Sequence, residues 1–122
     1  MTETISAAIR ASDDYAAQLA EFSDQWAELH RHQAVLDARK ARLLARSAAS
    51  ADAFADAAVP AIFPPAERQA LSRRSTCAAL AMATRTPERT IQRATNDAER
   101  LVNDAPAVFE SLEAGRISAR HA

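Results

Sequence analysis

A single glycine, Gly115, stands among 122 residues. Tight hairpins, phosphate-cradling loops and the first turn of a dinucleotide-binding unit all need glycine, where the backbone takes positive φ or approaches a ligand. The near-absence of glycine therefore argues against a β-sandwich, a Rossmann domain and a P-loop enzyme. Alanine is abundant instead, with 32 residues, and it is the strongest helix former. Leu, Ile, Val and Phe number 22, a low content that would suggest disorder in a highly charged chain. The formal net charge is only −1, so the sequence reads as all-α. Its length fits one domain. The excess of arginine over lysine reflects base composition rather than function.

Residues 12–48 contain neither glycine nor proline. Within them Tyr15, Leu19, Phe22, Trp26, Leu29, Gln33, Leu36, Lys40 and Leu43 alternate four- and three-residue steps. That 3.5-residue average is the seam of a helix that packs along its length against another helix. Ser12, followed by Asp13 and Asp14, suits its start. About 36 residues at 1.5 Å each span roughly 54 Å, more than the short helices that follow can cover. The seam therefore predicts a homodimer, with Leu19, Phe22, Trp26, Leu29 and Leu36 as its anchors. The rival expectation is an intramolecular core, with the later helices folded back along the seam.

Residues 49–66 read as a connector. Residues 51–58 predict a short helix carrying Phe54, followed by an irregular stretch with Pro60, Pro64 and Pro65. Ile62 and Phe63 are expected to pin that stretch to the core. The chain thus divides into 1–66, a long helix with a Pro-rich connector, and 67–122, a compact helical unit. Residues 67–83 predict a second helix, with Leu71, Cys77 or Ala78, Leu80, Ala81 and Met82 available to face inward. Thr84 to Pro87 break it. Thr86 is expected to cap a third helix over 87–103, with Pro87 at its first position. The inward stripe of that helix is Ile91, Ala94, Ala98, Leu101 and Val102, and its outward stripe Arg89, Arg93, Asn96 and Arg100. Asp104 is expected to cap a fourth helix with Val108, Phe109 and Leu112 on one face, closed by Gly115 at C′. Ile117 and Ser118 open one more turn.

Charge is uneven. Within 68–96, Arg68, Arg73, Arg74, Arg85, Arg89 and Arg93 face one acid, Glu88. This local excess points to a polyanionic partner. Helix, short break, helix is the pattern of helix-turn-helix DNA readers. The expected DNA-contacting set is Arg85, Thr86, Arg89, Thr90, Gln92, Arg93 and Asn96, with arginines on phosphates and Gln92 and Asn96 toward bases. The alternative is a helical dimerisation or protein-interaction module whose arginines only solvate a face.

Catalytic signals are missing. The lone Cys77 excludes an internal disulfide and a CxxC zinc site. His30 and His32, two apart, point to different sides of a helix. No nucleophile triad or clustered carboxylate pair emerges, and no cofactor is expected. No signal-peptide run and no membrane-length apolar stretch occurs, so no membrane role and a cytoplasmic location are expected.

The order Thr86-Pro87, Ala98-Glu99-Arg100-Leu101, Ala105-Pro106, Ser111-Leu112, Gly115-Arg116-Ile117-Ser118 and His121-Ala122 resembles a known family. It is the helical domain of unknown function, also called a thirteen-E-twelve repeat region, that precedes HNH nuclease modules in many actinobacterial proteins. The resemblance covers 67–122. It implies a DNA-binding or DNA-positioning domain of an HNH endonuclease-like protein, and a polypeptide that continues past Ala122. Ala105-Pro106 departs from the usual Leu-Pro. The His-Asn-His cluster and the zinc cysteines of the nuclease part are absent, so no catalytic residue is carried over.

Overall fold

A computed structural model describes all 122 residues. The chain is all-helical: α1 (Thr2–Ala53), α2 (Ala55–Ala58), α3 (Pro65–Thr84), α4 (Glu88–Asp104), α5 (Pro106–Glu113) and a terminal 3-10 turn, Ala119–His121. The expected order of elements holds, with differences at the ends.

Helix α1 is 52 residues long, roughly 78 Å. Ser12 does not start it; the Ala-rich residues before Ser12 carry the helix back to Thr2, because extending a formed helix is far easier than nucleating one. Its other end is closed by α3. The Ala51 carbonyl, left without an intrahelical donor, accepts the Ser72 hydroxyl at 2.7 Å, which resolves one orphan group of that terminus and explains a buried serine. Phe54 lies between α1 and α2 rather than within the short helix, and is exposed.

The core sits where α4 and α5 lie against the second half of α1. Ala34 and Ala38 of α1 meet Phe109 and Leu112 of α5, with Ala41, Leu101, Val102 and Ile117 packed around them. Small residues on α1 let the other helices approach closely. Arg42 flanks this core: its guanidinium lies 5.0 Å from the Phe109 ring centre and pairs with Glu113. Of the expected inward residues of α4 and α5, Ala98, Phe109 and Leu112 are buried and Ile91, Ala94, Leu101, Val102 and Val108 half-buried, while Thr95, outside the expected stripe, is buried too. On α3 only part of the expectation holds. Cys77 and Ala81 are buried, while Leu71 and Met82 are exposed. Ile62 and Phe63 do not anchor the connector: Ile62 is 86% exposed and Phe63 38%.

The helix ends also differ in detail. Neither Thr86 nor Asp104 makes a side-chain cap; Asp104 is instead the last residue of α4. Gly115 does close α5, at φ 74°. Its amide donates to Leu112 O and that of Arg116 to Ser111 O, both at 2.9 Å, the paired bonds of a Schellman motif. The same residue touches α1: a Cβ there would stand 3.4 Å from Arg31 Cβ.

The seam is where the expectations part. Helices do fold back on α1, but against its alanine face. Tyr15, Leu19, Phe22, Trp26, Leu29, Leu36 and Leu43 are all exposed, Trp26 at 66%. Residues 1–33 are exposed throughout. No helix is long and apolar enough to cross a membrane.

Candidate functional site

The break between α3 and α4 is built from Arg85 in the left-handed region, φ 52°. The Thr86 amide donates to Ala81 O at 2.9 Å and that of Arg85 to Met82 O at 3.4 Å. These close α3 as Gly115 closes α5, with arginine in the place where glycine is favoured. The Thr86 hydroxyl turns back to Thr84, 2.8 Å from its Oγ1, and leaves the first amides of α4 without a side-chain partner.

From this turn α4 presents Arg89, Thr90, Arg93 and Asn96 to solvent. Four residues separate Arg89 from Arg93, so the two stack on successive turns of one face. Arg100 continues the stripe but pairs with Asp97 at 2.6 Å. Gln92 departs from the expected group. It is half-buried and lines a cleft of about 260 Å³ between α1, α3 and α4, beside Arg74, Thr76 and Asn96. Arg74, part of the basic run of 68–96, stands in the cleft beside Asn96 and so joins the α4 face.

Two of the six arginines behind the charge excess are committed within the fold. Arg73 forks onto two carboxylates. Its Nε and Nη2 reach Asp52 at 2.7 Å each, and Nη1 and Nη2 reach Glu99 at 2.9 and 3.0 Å. Hydrogen bonding from Arg73 holds the Asp52 carboxyl below its ordinary pKa, and the two acids push the guanidinium pKa up. Arg68 lies 3.2 Å from Asp56. The signal for Arg73 was present: it falls four residues before Cys77 and eight before Ala81, on the inward stripe of α3, where a cation needs a carboxylate. Arg74, Arg85, Arg89 and Arg93 form no ion pair within the chain.

The histidines of α1 are separated as their spacing implies. The His30 ring stands edge-on to Trp26, with centroids 4.8 Å apart. His32 Nε2 lies 3.1 Å from Glu28. No three His, Cys, Asp or Glu side chains converge on one point.

No protein-family model, no curated protein and no solved structure matches this chain.

Proposed function

We propose that this chain is a non-catalytic DNA-binding or DNA-positioning domain of an HNH endonuclease-like protein, acting through α4. The observation behind this reading is the set of uncommitted arginines, Arg74, Arg85, Arg89 and Arg93, around one helix–turn–helix junction. The resemblance of 67–122 to the domain preceding HNH modules supports it. Arg85, Arg89 and Arg93 contact phosphates, and Asn96 lies on the same face, in reach of base edges. Three to four phosphate contacts give a log–log salt slope of about −3 to −4. Fluorescence anisotropy with a labelled duplex tests this: binding at low salt weakens when Arg89→Ala is combined with Arg93→Ala. Equal affinity for both proteins overturns the reading.

A second reading, a self-associating interaction module with no nucleic-acid role, is favoured by the exposed seam of α1. Contiguous apolar surface of that size marks an interface. Light scattering tests it. A dimer that ignores DNA at low salt supports this reading over the first, and a monomer at every concentration overturns it.

A further inference from the structure

In the folded chain the seam of α1 begins earlier than Tyr15. Ile5, Ala8 and Ser12 continue the same four–three steps toward the N-terminus, and Ile5 is exposed like the rest. The seam thus runs from Ile5 to Leu43, about 57 Å, winding slowly round α1 and lying opposite Ala34 and Ala38 near Leu36 and Leu43. Even where α4 and α5 cover the alanine face, Leu36 and Leu43 stay exposed. A second helix can therefore lie along the whole seam without displacing any part of the fold.

Most charges of α1 lie on the side turned from the seam, so the polar positions of the seam itself set the direction of that second helix. Up to residue 28 there are Glu3, Asp13, Asp14, Glu21, Asp24 and Glu28 against Arg10. From residue 31 to 46 there are Arg31, Arg39, Lys40, Arg42 and Arg46 against Asp37. The helix dipole does not account for this, since it acts only on the first and last turns. Asp13, Asp14, Glu21, Asp24, Arg39, Lys40 and Arg46 have no ion-pair partner within the chain. The acids up to residue 28 stand about 120° or more round the helix from the seam and do not face a neighbour lying on it, whereas Lys40 is on the seam itself. A parallel neighbour would set Lys40 against its own copy, and an antiparallel one sets it against the small Ala8.

We propose that a second copy of this chain packs antiparallel along α1, from Ile5 to Leu43. This rests on the self-association reading and adds its direction and register. The seam positions pair in order across the two-fold axis. Ile5 meets the second copy's Leu43, Leu19 its Leu29, and Phe22 its Trp26. Two of the three polar members also find complements, while Ser12 falls opposite Leu36. Gln33 comes opposite a tyrosine hydroxyl, that of Tyr15, and the small Ala8 leaves room for the stem of Lys40. In a parallel pair Lys40 would face Lys40 and Gln33 would face Gln33.

Disulfide trapping in the full-length chain, with Cys77→Ser as background, reads the direction. Leu19→Cys and Leu29→Cys both fall on exposed positions, so the fold is retained, as circular dichroism checks. In the antiparallel pair the two Leu19 positions are ten residues apart along the axis, about 15 Å, beyond the roughly 7 Å limit for a disulfide. Neither single variant then cross-links to itself on brief oxidation, while an equal mixture does, in about half of its pairs. Self-linking of each single variant overturns the antiparallel direction while leaving self-association intact. A dimer that links in neither arrangement overturns the register. A monomer by light scattering overturns self-association and the proposal together.

Discussion

Arg73 holds two carboxylates that belong to different parts of the chain, Asp52 at the end of α1 and Glu99 in α4. Removing it leaves two neighbouring acids with no cation between them. Solvent reaches the cluster, so the loss is smaller than for a fully buried network: about 2 kcal/mol for Arg73→Ala. Because the Asp52 carboxyl titrates below its unfolded value, its contribution is present above about pH 4 and fades as pH falls through the folded value. Thermal melts at pH 7 and pH 3 check both statements. The wild type should melt several degrees above the variant at pH 7, and the gap should narrow at pH 3. A gap independent of pH would contradict the assignment. Arg85 presents the opposite case. Its left-handed backbone costs about 1 kcal/mol that glycine would not incur. Arg85→Gly should therefore raise the melting temperature by a few degrees while flattening the salt slope of DNA binding by about one. A variant that melts lower would mean the turn is not strained.

The two faces of α1 differ in what they tolerate. Ala38 is only 1% exposed against Phe109 and Leu112, so Ala38→Leu overfills that contact and costs about 1–3 kcal/mol. Trp26 is 66% exposed, with its ring edge-on to His30. Trp26→Ala should leave the helix content of the monomer unchanged, yet raise the dimer dissociation constant about a thousandfold, since each dimer loses two aromatic anchors worth about 2 kcal/mol each. Chemical denaturation and sedimentation together separate the two effects; a Trp26→Ala protein that unfolds early would place Trp26 in the core instead. This contrast shows how far the sequence was legible. The seam, the break at Arg85 and the inward stripe of α4 follow from spacing and turn chemistry alone. Which face of α1 its own chain covers does not, because alanine carries no periodic contrast with a helical background. For Arg73 the spacing shows an inward cation but not its partners, since its two acids lie 21 and 26 residues away in sequence and meet only after α1, α3 and α4 have packed.

For the whole molecule, the distribution of burial makes the first half of α1 the dependent part. Only 12 of 122 residues are buried, all of them from Ala34 onward. Residues 1–30 carry the exposed ring of Trp26 and are exposed throughout. A helix of that kind draws its stability from packing rather than propensity, and it opens locally at low free energy when the packing is missing. Its protection should therefore depend on protein concentration, by the mass action that couples folding to assembly. Hydrogen exchange measures this directly. Amides of residues 5–30 should be protected at high concentration and exchange quickly on dilution, while those of α4 and α5 change little. Trp26→Ala should show the diluted pattern at every concentration. Protection of residues 5–30 that is equal at all concentrations would mean that α1 stands alone without its seam being covered.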